Sequence, residues 1–207
     1  MTDRHWAFPD LTVSRETTEK LAHLVDMLRK WSPKINLVAQ STLENAWTRH
    51  ILDSVQAFDV VNPKTGHWVD FGSGGGFPGL VVAILAQECS PGVKVTLVES
   101  DQRKCVFLKA VLREVRTKAD VLPARIESLD PLAATYVSAR ALAGLSTLLT
   151  YAKHHLSDDG VAVFLKGAEW KKEVATARES WNFTCNPRTS VTDPNAVVLT
   201  IGALTHV

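Results

Sequence analysis

From residue 14 to residue 31 the apolar positions Leu21, Leu24, Val25, Leu28 and Trp31 recur at helical spacing, which predicts an amphipathic helix with one buried stripe. Pro33 is expected to stop it. Ser41-Thr42-Leu43-Glu44 has the form of a capping box, so a second helix is expected to start at Ser41 and to bury Leu43, Trp47, Ile51, Val55 and Phe58. After Asn62-Pro63-Lys64-Thr65-Gly66 the rhythm changes to short apolar runs separated by helical stretches. That alternation belongs to a parallel sheet with right-handed crossovers. Strands are expected near 67–71, 93–99, 119–122, 136–139 and 161–166, and helices near 79–89, 101–116 and 145–156. A charged helical stretch follows, to about residue 181. Runs at 183–188 and 196–201 around a turn at Asp193-Pro194-Asn195 read as an antiparallel hairpin on one sheet edge.

The chain has 207 residues, 45% of them hydrophobic, enough for one core with room for an N-terminal extension. With no repeat and no long linker, it divides into a helical cap at 1–66 and one compact sheet unit at 67–207. Met1-Thr2-Asp3-Arg4-His5-Trp6 precedes no apolar run, and no stretch approaches the roughly 18 apolar residues of a span, so neither an export signal nor a membrane segment is expected. Cys89, Cys105 and Cys185 are too scattered for a disulfide framework, which favours a reducing cytoplasm. No metal-ligand spacing is visible among the histidines. A formal charge of +1 does not announce nucleic acid, so any RNA contact has to come from a local patch. Lys109, Arg113 and Arg116 on the helix at 101–116 form one such stripe, and Lys166, Lys171 and Lys172 add charge near the fifth strand.

The most informative stretch joins the first strand to its helix: Asp70-Phe71-Gly72-Ser73-Gly74-Gly75-Gly76-Phe77-Pro78-Gly79. Glycines allow a sharp turn and close approach to a ligand, and the helix start is expected to offer free amides to an anion. Two registers compete. Gly74-x-Gly76-x-x-Gly79 fits a dinucleotide fingerprint, whereas Asp70-x-Gly72-x-Gly74-x-Gly76 fits a methyltransferase loop. Asp70 tilts the choice, because a carboxylate there would repel a pyrophosphate but can hold the ammonium of a methionine moiety. Glu99, at the second strand's tip, is placed to accept ribose hydroxyls, in either kind of site.

Together with Asn36-Leu37, Arg49-His50-Ile51-Leu52-Asp53-Ser54, Arg103-Lys104 before Phe107-Leu108, Arg125-Ile126-Glu127, Ser138-Ala139-Arg140-Ala141 and Lys166-Gly167, this loop resembles the bacterial small-subunit rRNA (guanine-N7) methyltransferases of the glucose-inhibited division B type. The resemblance implies an α/β class I S-adenosylmethionine-dependent methyltransferase, with a Rossmann-like seven-stranded sheet, an antiparallel C-terminal hairpin and an N-terminal helical cap. It implies S-adenosylmethionine as cofactor and 16S rRNA, within the small subunit or its precursor, as partner, for a monomeric protein. By the same resemblance Gly72 and Phe77 line the methionine side, Ile126 and Glu127 lie along the adenosine, and Arg140 sits at the reaction cleft, touching cofactor and serving catalysis. Asp70, Gly74, Gly76 and Glu99 complete the expected cofactor set, and Arg125 and Lys166 are the expected RNA contacts. Members often carry an arginine just before the last strand, where this chain has Asp193-Pro194-Asn195.

Methyl transfer to N7 needs no base, because N7 has a free lone pair, so alignment rather than acid-base chemistry has to lower the barrier. Arg140 is suited to clamp a phosphate or to donate to guanine O6. His50 and Asp53 share a helical face and are candidates for a polar seam between cap and cleft, or for a purely structural role. Three alternatives remain open at this level: a related methyltransferase acting on a small molecule or protein, an NAD-dependent oxidoreductase, and a binding protein of the same fold without turnover.

Overall fold

The computed structural model describes residues 11–207. The N-terminal reading of Met1 to Trp6 lies outside the described residues. Helix α1 (Arg15–Ile35) begins where Ser14 accepts a hydrogen bond from the Thr17 amide, and Ser14 is itself pinned to the Glu88 carboxylate by its amide and hydroxyl. Its stripe is buried as expected, with Leu21, Leu24 and Leu28 fully enclosed. Pro33 does not stop the helix. It lies within the last turn; α1 ends two residues after it, at Ile35, and the chain leaves through Asn36 in the left-handed region (φ 49°).

The capping box at Ser41 does not form a helix start. Gln40–Thr42 is a single 3-10 turn, and Trp47–Leu52 is a π-helical stretch that runs directly into α2 (Asp53–Val61). In place of a serine cap, the Thr42 hydroxyl donates to the Ala39 carbonyl at 2.6 Å, and Ser41 is exposed.

The sheet comprises β1 (Thr65–Phe71), β2 (Gly92–Val98), β3 (Asp120–Leu122), β4 (Ala134–Arg140), β5 (Leu156–Lys166), β6 (Trp181–Thr189) and β7 (Val197–His206). Helices α3 (Gly79–Cys89), α4 (Gln102–Glu114), α5 (Leu145–His155) and α6 (Trp170–Ala177) connect them. The order is β3-β2-β1-β4-β5-β7-β6, parallel through β5, with β7 antiparallel to both of its neighbours. Alternation along the strands sends Trp68, Leu97, Val163 and Leu165 into a core with α3, α4, α1 and α2, while Val69, Phe71, Val137 and Phe164 face α5 and the hairpin. The cap is therefore not a separate globule: Leu21, Leu24, Leu28, Ile51 and Phe58 share one continuous core with the sheet. β5 and β7 run further than the apolar pattern shows, because the start of β5 carries exposed Asp158 and Asp159 and the end of β7 is polar. β6 tolerates Pro187 because it is an edge strand. Among the described residues no helix is long and apolar enough to cross a membrane.

Candidate active site

β1 and β4 are neighbours whose crossovers leave toward opposite edges, so their C-terminal ends open a crevice at the switch of strand order. Two adjoining cavities occupy it. The larger, about 550 Å³, lies between the glycine loop, residues 37–42, the π-helical stretch and the turn before β7. The smaller, about 310 Å³, lies beyond the loop, between Glu99, Arg125, Ile126, Glu127 and Tyr151. Gly72, Gly74, Lys104 and Ala141 line both.

The glycines divide by task. Gly72 and Gly74 present bare backbone to the cavities, and both have positive φ (61° and 54°). Gly76 (φ 90°) lines neither cavity: a Cβ there would overlap the Leu80 side chain, so glycine is required for packing on α3.

Asp70 also needs correction. Its side chain is fully buried, with Oδ1 accepting from Ser138 Oγ at 2.7 Å and Oδ2 from the Gly79 amide at 3.2 Å. Burial pushes its pKa up to about 6, against the pull of those hydrogen bonds. The carboxylate faces inward to tie β1 to α3 and β4, instead of reaching a ligand's ammonium. The amides expected to be free at the start of α3 are likewise taken: Gly79 by Asp70, Leu80 by the Gly76 carbonyl, and Gly76 and Phe77 by the Ser73 carbonyl. These four amides are not offered to a pyrophosphate, which argues against the dinucleotide register.

Glu99 does line the smaller cavity. Its two oxygens accept from the amides of Gly74 and Asp101, both at 2.8 Å, so the carboxylate is aimed by the loop it faces. Ile126 is buried at the wall, and Glu127 accepts a 2.5 Å hydrogen bond from Tyr151, which holds its carboxyl below the usual range.

Arg140 is the centre of the larger cavity's polar network. Nη1 donates to the Arg49 carbonyl at 3.0 Å and to Asp53 Oδ2 at 3.2 Å, and Nη2 donates to His50 Nδ1 at 2.9 Å. The guanidinium lies over the Phe77 ring, 5.0 Å from its centroid, and His50 stacks on the same ring at 4.9 Å. Burial, with Arg140 and Arg49 nearby, drives the His50 pKa down to about 3, so the imidazole is neutral. With Nδ1 accepting, Nε2 carries the proton and donates to Thr42 Oγ1 at 2.8 Å, and that hydroxyl donates on to Ala39. Every donor has one acceptor along this chain. Asp53 Oδ1 extends the seam to Thr192 at 3.1 Å, and Arg49 reaches Asp193 at 3.6 Å.

Lys166 lines the larger cavity, but its side chain is only 10% exposed and its ammonium is held by Glu173 at 2.6 Å and the Ala143 carbonyl at 3.0 Å. The structure therefore makes it a brace between β5, α6 and the β4–α5 turn; the expected phosphate contact is pre-empted. Arg125 is exposed on the rim of the smaller cavity. Lys109 and Arg113 lie progressively further along α4 from the cleft, Arg116 follows the helix's end, and none of them lines either cavity.

Four contributors escaped the sequence reading. Ser138 bridges Asp70 and the Trp68 indole, Thr42 anchors His50, Leu142 rests over Gly72, and Lys104 stands where the cavities meet. Lys104 and Ser138 each lay in a quoted motif, Arg103-Lys104 before Phe107-Leu108 and Ser138-Ala139-Arg140-Ala141, but neither motif gave the side chain its role; all four roles depend on contacts between distant segments.

The family model described as GidB, rRNA small subunit methyltransferase G, matches residues 17–196. The chain belongs to this family. A relative from Ruegeria sp. (strain TM1040), named ribosomal RNA small subunit methyltransferase G, is 52% identical over 198 residues, covering 96% of each chain. One of the same name from Paramagnetospirillum magneticum is 46% identical over 187 residues, covering 90% of this chain and 89% of that one. Among solved structures, a methyltransferase from Geobacter sulfurreducens superposes with a TM-score of 0.58 at 12% identity, covering 89% of this chain and 88% of that one. TYW2 from M. jannaschii, solved in complex with AdoMet, gives 0.55 at 14% identity, covering 84% and 80%. These likenesses show the class I methyltransferase fold; the family match makes this chain a small-subunit rRNA methyltransferase.

Proposed function

We propose that the enzyme transfers the methyl group of S-adenosylmethionine to N7 of a guanine in 16S rRNA, presented within the small ribosomal subunit or its precursor. When bound, the cofactor supplies an electrophilic methyl group on a sulfonium. The residues present fit it: Glu99, aimed by two amides, faces the smaller cavity as an acceptor for ribose hydroxyls, with Ile126 and Glu127 alongside. Bare backbone at Gly72 and Gly74 leaves room where the cavities meet, and Phe77 and Arg140 close the methionine side.

The observation that carries N7 is the state of His50. Among the described residues it is the only histidine lining either cavity, and both of its nitrogens are engaged, one accepting from Arg140 and the other donating to Thr42. Asp53 and Glu173 are occupied by Arg140 and Lys166. Asp193 is paired with Arg49, so among the described residues no unpaired base stands beside Arg140; a hydroxyl or amine nucleophile would have to lose a proton, whereas guanine N7 has none to lose. Of the five N–H donors of a guanidinium, Arg140 uses three on Arg49, Asp53 and His50, which leaves two for guanine O6 or a phosphate. Asp53 offsets the guanidinium charge, so a cation can stand near a sulfonium without strong repulsion. The remaining task is to hold both reactants aligned and dry, which can supply roughly 7–11 kcal/mol.

The test is radiolabelled methyl transfer to isolated small subunits and to protein-free 16S rRNA, followed by borohydride reduction and aniline scission, which cleaves at N7-methylguanine. Scission at one guanine is expected. Label that resists scission, or that appears only on protein or small molecules, overturns the assignment.

A further inference from the structure

Four cationic side chains line the larger cavity: Arg49, Arg140, Lys166 and Lys104. Three of them are matched by carboxylates on the same wall, Arg49 by Asp193, Arg140 by Asp53 and Lys166 by Glu173. Lys104 has no ion-pair or hydrogen-bond partner for its ammonium among the described residues. It rises from the first turn of α4, half-buried, where Asp101 accepts from the Arg103 and Lys104 amides and so fixes the base of the side chain. It also lines the smaller cavity, so the residue stands on the wall common to both.

We propose that Lys104 binds a backbone phosphate of the RNA strand carrying the target nucleotide, a role that rests on the RNA reading above. The cofactor does not account for the surplus cation. Its carboxylate and ammonium cancel and its sulfonium leaves it net positive, so an added ammonium opposes its binding. A phosphodiester brings the one unmatched negative charge that a nucleotide substrate carries into the cleft. A lysine supplies a point charge on a flexible stem, suited to a phosphate whose exact position shifts as the base is seated. Lys104 thereby takes the place the sequence had assigned to Lys166.

The experiment compares wild type with Lys104→Gln, Lys104→Arg and, as a control, Lys94→Gln, an exposed lysine near the N-terminal end of β2, away from the cleft. Filter binding of protein-free 16S rRNA is measured over a range of salt, alongside S-adenosylmethionine affinity by calorimetry. Lys104→Gln is expected to reduce the slope of log affinity against log salt by about 0.7–0.9. Its cofactor affinity stays within about twofold, which also shows that it is folded. Lys104→Arg restores the slope, and Lys94→Gln leaves it unchanged. A wild-type slope in Lys104→Gln overturns the proposal, as does a tenfold loss of cofactor affinity with the slope intact, which would assign the ammonium to the cofactor's carboxylate. Wild-type protein that methylates small subunits while Lys104→Gln behaves normally defeats the lysine alone; wild type that neither binds nor methylates the RNA defeats both readings.

Discussion

Replacing Asp53 with asparagine keeps the shape of the side chain and removes the charge that holds Arg140. The pair is nearly enclosed, with side chains 17% and 19% exposed, and its atoms are 3.2 Å apart. At an effective dielectric of about 20, unit charges at that separation attract by about 5 kcal/mol. The Arg49 carbonyl and His50 Nδ1 still receive their hydrogen bonds, and the asparagine oxygen remains a neutral acceptor, so the net loss should be smaller. Breaking one side of a buried pair typically costs about 3–5 kcal/mol; a loss of about 3 kcal/mol is expected here. That corresponds to a fall in Tm of about 6–12 °C for a chain of this size. Urea unfolding of wild type, Asp53→Asn, Arg140→Met and the double variant gives the needed cycle. Because the cost arises from a guanidinium left without its counter-charge, the double variant should be more stable than Asp53→Asn alone. Additive losses, or an Asp53→Asn midpoint equal to wild type, would refute this account of the seam.

The neutral state of His50 makes stability depend on acid. Its folded pKa of about 3 lies below the unfolded value of 6.5, so the unfolded chain binds the extra proton between them, and stability is full above about pH 6.5 and falls as pH drops toward 3. His50→Gln should lose on the order of 1–2 kcal/mol less than wild type between pH 7 and pH 5, read by urea midpoints, and equal losses would contradict the buried neutral imidazole. Gly76→Ala is expected to destabilise by about 1–3 kcal/mol, since it adds both a positive-φ penalty and an overlap with Leu80; a thermal melt matching wild type would be inconsistent with the loop as described. Arg140→Ala should leave S-adenosylmethionine affinity within about tenfold, roughly 1.4 kcal/mol, while methylation of small subunits largely disappears; parallel loss of both in calorimetry and transfer assays would make cofactor binding the main role of Arg140.

Much of the frame was legible because it is written in local patterns. The helix at 79–89 and the Pro194-Asn195 turn appear where the apolar rhythm and the turn residues placed them, since each depends on neighbours in sequence. Local rules failed where a distant segment supplied a better partner. Ser41-Thr42-Leu43-Glu44 has a capping box's letters, yet Thr42 is committed to Ala39 and His50, and the helix starts later through a π-helical turn. Asp70 and Lys166 were correctly located at strand ends, but their charges were assigned to ligands without knowledge of Ser138 and Glu173, which lie 68 and 7 positions away and meet them only in the folded chain.

By itself the sequence determined the doubly wound order of strands and helices, the glycine loop, and the chemical types gathered at the strand ends, because periodicity and backbone sterics act over a few residues. Tertiary structure decided which of those charges are already neutralised by the protein and which still face open space. That distinction depends on distances between segments far apart in the chain, and at the ångström scale a carboxylate 3 Å away converts a candidate ligand contact into a structural brace. Lys104 keeps an unmatched ammonium, and Lys166 does not.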